Sequence, residues 1–187
     1  MTESINQNME ELIQILNFKA RELYYEESLS QLEHALQSAA CAMEITENEE
    51  LIVAALLHDI GHLIPNENTT PQGNIDHDEL GAAYLHTMNF PHSITHLIAN
   101  HVEAKRYLVT TQPDYKSNLS TASLITLEHQ GGMMSDDEVA KFENDPYFDD
   151  IITIRICDEK AKSETPSPYR IEDFRPILFS VLSKSSK

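Results

Sequence analysis

The chain has 187 residues, enough to bury a full core. With 41% hydrophobic and 24% charged residues it reads as a globular sequence rather than a disordered one. Its 31 acidic and 13 basic side chains give a formal charge of −18, which repels phosphate backbones and anionic lipid and argues against a nucleic-acid or membrane partner.

Apolar residues recur at helical spacing almost throughout. The first helix is predicted over 8–26, with Leu12, Ile15, Leu16, Ala20 and Leu23 on one face. A second over 30–46 buries Leu32, Ala35, Leu36, Ala39 and Met43, and carries a polar strip of Gln31, His34 and Ser38. A third, NEELIVAALLHDIG, takes Asn48 as its N-cap and ends near Gly61. The polar loop LIPNENTTPQGN follows. A fourth helix starts near Asp76, and a fifth is predicted as one piece over 92–107. After the loop TTQPDYKSN, shorter helices are predicted over 120–130, 135–144, 146–163 and 171–184. No strand pattern persists and no repeat is visible, so the expected fold is all-α, a single compact helical domain over 1–187.

Cys41 and Cys157 are too few for a disulfide framework or a thiolate metal site, which fits a reducing, cytoplasmic setting. The N-terminal stretch MTESINQNMEELIQ has no signal-peptide pattern, and no apolar run approaches the ~20 residues that span a bilayer.

Nine histidines are many for this length, and their positions matter more than their number. His58 and Asp59 stand together at the end of an apolar helix, where two unpartnered polar groups would be costly. His34 sits mid-helix, His77 in the first turn of the fourth helix, His101 on a face with Leu97 and Lys105, and Asp158 in a late helix three residues after Arg155. Imidazole and carboxylate donors without thiolates suit iron, manganese or zinc, and separate helices of a bundle are the usual source of such donors. His86, His92, His96 and His129 read as ordinary hydrogen-bonded or surface residues. Spacing alone leaves the number of metals open.

This order of His, His-Asp and a distant Asp resembles the HD-domain superfamily of metal-dependent helical proteins. The resemblance implies His34, His58, Asp59 and Asp158 as core ligands, with His77 and His101 adding a second metal and Asp59 bridging. Most members of the superfamily are phosphohydrolases. A smaller branch uses a mixed-valent Fe(II)/Fe(III) pair with O2. LYYEESLSQLEHALQSA (23–39), LLHDIGH (56–62), HVEAKRYL (101–108), LSTASLITLEHQGG (119–132) and RICDEKAK (155–162) look like that branch's phosphonate oxygenases, which cleave the carbon–phosphorus bond of 1-hydroxyphosphonates. The stretches run from the first helices to the last third of the chain. The type most resembled releases glycine and phosphate from 2-amino-1-hydroxyethylphosphonate.

By that resemblance His62, Lys105, Ser123 and Arg155 hold the phosphonate, Tyr24 occupies the second iron's open position until substrate displaces it, and Glu27 receives the substrate's ammonium group. The residues offer their own check: in a strongly acidic chain, His62, Lys105 and Arg155 are donors spaced toward the same metals, as an anionic substrate requires. A non-enzymatic sensor derived from the same domain is the least favoured alternative, since the ligand set is full and no output domain is attached; two others stay open at this level. One is a phosphohydrolase acting on a nucleotide or phosphate monoester; the other, within the oxygenases, is a trimethylammonium rather than a primary-amine substrate, favoured by Tyr24 and Tyr25 but disfavoured by the absence of Trp.

Overall fold

The computed structural model describes residues 2–20, 29–67 and 73–185, and its regular elements there are all helical. Helix α1 spans Thr2–Phe18, so it begins six residues before the expected 8–26 and stops earlier. Ile5, Met9, Leu12, Ile13 and Leu16 form its buried stripe. Leu23 lies outside the described residues.

Helix α2 (Gln31–Ile45) starts where the Ser30 hydroxyl accepts the Glu33 N–H at 3.1 Å. Ala35, Leu36, Ala39 and Ala42 face the core, whereas Met43, expected there, is exposed because Ala42 already fills that turn. Helix α3 (Glu49–Leu57) is capped by Asn48, whose side-chain oxygen accepts the Glu50 N–H at 3.1 Å. Every residue from Leu51 to Leu57 is buried, so this helix is the centre of the bundle, with α2 packed against it.

After α3 the chain turns through His58 and Asp59 into a 3-10 turn, Ile60–Leu63, and later enters α4 (His77–Thr87). The turn packs directly on α4 through two glycines. A Cβ on Gly61 would lie 1.9 Å from the His77 carbonyl oxygen, and one on Gly81 would lie 3.1 Å from the Gly61 nitrogen. Gly61 therefore serves a close crossing rather than only the end of a helix.

The helix expected over 92–107 is two helices, α5 (His92–Ala99) and α6 (His101–Thr111). Asn100 separates them with φ −112° and ψ 3°, and its side-chain amide donates to the His96 carbonyl at 2.8 Å, closing α5 in place of the next backbone N–H. The break turns His101 into the first residue of α6, which runs on through Thr110 and Thr111, part of the expected loop. Helix α7 is Thr121–His129, α8 is Asp136–Glu143 and α9 is Phe148–Lys160. The expected 171–184 helix divides into a 3-10 turn, Ile171–Phe174, and α10 (Arg175–Ser185), which packs on α1 and α3. Among the described residues, no helix is long and apolar enough to cross a membrane.

One strap ties α6, α7 and α8 together. Gly131 and Gly132 end α7 at φ +97° and +69°, with the Gly132 N–H on the Leu127 carbonyl at 2.9 Å. Arg106 donates to the Gly132 carbonyl at 3.1 Å, to Glu103 at 2.8 Å and to Glu138 at 2.7 Å. The Ser135 backbone, Arg106 and the Ser135 hydroxyl hold the Glu138 carboxyl down to about 2. A carboxyl lowered by folding stabilises the fold above its ordinary range and loses that effect as pH falls toward 2. Glu138→Gln should therefore melt below the wild type at neutral pH and converge with it in acid. A gap unaffected by pH in thermal denaturation would rule this out.

Candidate metal centre

Five segments converge beneath α7. His34 comes from α2, His58 and Asp59 from the turn after α3, His77 from the start of α4, His101 from the start of α6, and Asp158 from α9. His34 and His58 are fully buried, His101 is 2% exposed and Asp158 4%. The six side chains singled out in the sequence are thus brought to one place.

Asp59 organises them. Its Oδ2 lies 3.5 Å from His34 Nε2 and 3.4 Å from His58 Nε2. Its Oδ1 lies 3.4 Å from His77 Nε2 and 3.7 Å from His101 Nε2. Asp158 Oδ1 completes the first group, 3.3 Å from His34 Nε2 and 4.0 Å from His58 Nε2. Two groups of donors, His34–His58–Asp59 and Asp59–His77–His101, share this one carboxylate.

The imidazoles are oriented by the backbone. The Nδ1–H of His34 donates to the Ala161 carbonyl at 2.8 Å, and that of His58 to Ala55 at 2.9 Å. His77 and His101 donate in the same way to Asn74 at 3.1 Å and Ile98 at 2.7 Å. A carbonyl can only accept, so each neutral ring keeps its lone pair on Nε2. Those lone pairs meet across 3.2 Å between His34 and His58 and 3.0 Å between His77 and His101. Facing lone pairs at such distances repel unless a cation lies between them.

The electrostatics agree. Burial lowers His58, and lowers His101 well below the ordinary imidazole range, which favours neutral rings. Burial also lowers His34, but the hydrogen bond and charge of Asp158 outweigh it and leave it raised. Burial pushes Asp59 up, yet the surrounding imidazoles, His58 foremost, bring it well below the carboxylate range. Asp158 follows the same pattern, with Arg155 the main opposing influence. Ionised carboxylates among imidazole lone pairs form a donor set for transition-metal cations.

A small cavity opens over these residues, with Asp59, His77, His101 and Asp158 in its lining. His62, Lys105, Ser123 and Arg155 all line it. His62 stacks on His77 with centroids 4.0 Å apart and planes at 16°. Lys105 is buried and bonds Thr126 Oγ1 at 3.0 Å; burial first, then the neighbouring Arg155, bring it down to about 7. Arg155 donates to Asp158, pairs with Glu159 and reaches the Tyr115 hydroxyl at 2.8 Å, so it fixes a carboxylate of the centre as well as lining the cavity. Tyr24 and Glu27 lie outside the described residues. His86, His92 and His129 are exposed, and His96 pairs with Asp145 at 2.8 Å, away from the cavity.

A family model described as HD domain matches residues 32–140, more than half of the sequence. The chain belongs to the HD domain family. Five of the six converging residues fall inside the match, and Asp158 lies beyond it. A [1-hydroxy-2-(trimethylamino)ethyl]phosphonate dioxygenase (glycine-betaine-forming) of Leisingera caerulea is 39% identical, covering 91% of this chain and 88% of its own. A hydroxymethylphosphonate dioxygenase of Gimesia maris is 41% identical over 87% and 82%. An uncharacterized protein of Acanthamoeba polyphaga mimivirus is 39% identical over 97% and 88%.

The cavity of this HD domain also takes in or rests on residues to which the sequence assigned no role. Lys162 lines the cavity just past the end of α9, with Nζ 3.3 Å from Ser123 Oγ and 3.4 Å from Ser120 Oγ. Its spacing of four from Asp158 was the available signal. Thr126, three residues after Ser123, was equally legible as part of one helix face. Asn74, whose amide donates to the Gly61 carbonyl at 2.8 Å and whose own carbonyl receives His77, carried no signal because it lies in a loop.

Proposed function

We propose that this HD domain is a di-iron oxygenase that cleaves the carbon–phosphorus bond of a 1-hydroxyphosphonate, with 2-amino-1-hydroxyethylphosphonate as substrate and glycine and phosphate as products. The observation that carries this reading is the meeting of two imidazole groups on the two oxygens of Asp59, at the floor of a cavity lined by Lys105, Arg155 and Lys162. Its relatedness to two phosphonate dioxygenases supports the choice of reaction. The overall change balances without an outside reductant: C1 loses its hydrogen and its phosphorus and becomes a carboxylate carbon, while O2 takes up four electrons.

The donors fit two irons, one on His34, His58 and Asp158, the other on His77 and His101, with Asp59 shared. Bound there, the irons would supply O2 activation and Lewis acidity. The chain supplies position and charge. Lys105, Arg155 and Lys162 concentrate positive charge where the phosphonate must sit, in a protein otherwise strongly acidic. The Ser123 hydroxyl accepts from Lys162 and can donate to a phosphonate oxygen, while the Thr126 hydroxyl, which donates to the Ala122 carbonyl, holds Lys105 in place. Burial keeps His62 well below the usual imidazole range, so it faces the substrate as a neutral ring that resists protonation and can exchange hydrogen bonds with it. The walls of the cavity limit bulk water, which strengthens each of these interactions.

Protein loaded with ferrous iron should bind two irons per chain, one for each donor group. It should consume O2 and release phosphate with 2-amino-1-hydroxyethylphosphonate. Phosphate release that persists under nitrogen, or no O2 uptake with any 1-hydroxyphosphonate at full iron loading, would overturn the reading and favour the phosphohydrolase.

A further inference from the structure

We infer that the side-chain amide of Asn74 keeps His77 beside Asp59, which makes Asn74 a positioning residue for the second group of metal donors and not for the first. This rests on the two-metal reading of the proposed function. The Asn74 side chain is buried, and its Nδ2 donates to the Gly61 carbonyl at 2.8 Å and to the Ile64 carbonyl at 2.9 Å. Gly61 lies within the 3-10 turn that follows Asp59, and Ile64 closes that turn. The main-chain carbonyl of Asn74 accepts the Nδ1–H of His77 at 3.1 Å. One residue thus joins the segment that carries the shared carboxylate to a ring which that carboxylate faces at 3.4 Å.

The other three rings do not depend on a side chain in this way. Ala55 and Ile98, which receive His58 and His101, lie inside α3 and α5, whose helical backbone fixes their carbonyls. Ala161, which receives His34, closes α9 with its N–H on the Cys157 and Asp158 carbonyls. Asn74 belongs to no helix, so its carbonyl has no such framework behind it. Any residue at this position would keep that oxygen; the two amide bonds put it where His77 can use it. Removing them takes a buried donor from two carbonyls and cuts this tie between the loop and the turn.

The test reads metal binding, by calorimetric titration of ferrous iron into the metal-free full chain under nitrogen. The wild type should take two ions. Asn74→Leu removes the donors at similar size, and Asn74→Asp sets an acceptor against two acceptors. Each should weaken one ion about tenfold or more and leave the other within about twofold. Two backgrounds say which ion it is. His101→Ala keeps the His34, His58 and Asp158 group, and there Asn74→Leu should change affinity by less than about twofold. His34→Ala keeps the His77 and His101 group, and there the cost should again be about tenfold or more. Asn48→Ala removes the cap of α3, lowering stability without touching either group, and should leave both affinities near wild type. Titration of the single Asn74 variants alone shows whether one ion or both are weakened, so the inference stays testable if a double variant does not fold. Equal weakening of both ions, weakening only in the His101→Ala chain, or no weakening at all would overturn the role of Asn74 alone. If the wild type takes a single ion, the two-metal reading itself falls.

Discussion

Asp59→Asn should reduce the metal content from two ions per chain to one or none, and lower O2 uptake by more than a hundredfold. Asparagine has nearly the same shape, but one of its two terminal atoms is an amide nitrogen that donates only. Since Asp59 Oδ1 faces His77 and His101 while Oδ2 faces His34 and His58, one group must lose its oxygen whichever way the amide turns. The negative charge between the two groups goes as well. Altering residues that merely support metal ligands costs about 10–100-fold in affinity or activity, so losing a shared ligand should exceed that. Metal analysis beside oxygen-electrode assays decides the matter. Two ions per chain with near-normal uptake in the variant would remove Asp59 from the bridging role.

Gly61→Ala should be the most damaging substitution that touches no proposed ligand. The added methyl would lie 1.9 Å from the His77 carbonyl oxygen and 2.8 Å from the Gly81 nitrogen, both backbone atoms that no rotamer change can move. Forcing the turn away from α4 should cost about 3 kcal/mol, or roughly 10 °C in melting temperature. The same displacement separates Asp59 from His77, and misplacement of ~1 Å in a catalytic arrangement can cost about a hundredfold in rate. Gly81→Ala provides the contrast. Its methyl meets the Gly61 nitrogen and the Ile60 side chain at 3.1 Å, tight but partly adjustable, so its loss should be smaller in both stability and metal content. If Gly61→Ala melts and binds metal like the wild type, the crossing is not what holds His77 beside Asp59.

Periodicity and capping residues made much of the bundle legible. Asn48, a short polar side chain shortly ahead of the apolar stretch of α3, was read as a cap and is one, whereas the caps Ser30, Ser120 and Ser135 emerge from the structure. Asn100 was not legible in that way. An asparagine inside a helical pattern can point to solvent or bond its own helix, and only the packing of α5 and α6 selects the second. The start of α1 was missed because polar Glu3, Ser4 and Asn6 dilute the signal that Ile5 carries.

The candidate site divides along the same line. His58 and Asp59 stand out because adjacent ionisable groups on an apolar helix have few inexpensive explanations. Gly61 showed as a glycine, but the helix it approaches lies about 20 residues away and leaves no local trace. Lys162 sits just past the end of α9, where its spacing of four from Asp158 is only a weak hint, and the packing of α7 is what sets it beside Ser123 at the cavity.

The peptide carbonyls that hold the four imidazoles carry a consequence for how this protein can change over time. Ala161, Ala55, Asn74 and Ile98 act through main-chain oxygen, an atom present whatever residue occupies those positions. Replacing Ile98 or Ala55 with another residue of similar volume leaves the ring geometry standing, whereas an enzyme that aimed its histidines with carboxylate side chains could lose that aim in one codon. The surroundings are accordingly free to drift toward new substrates while the donor geometry is inherited unaltered.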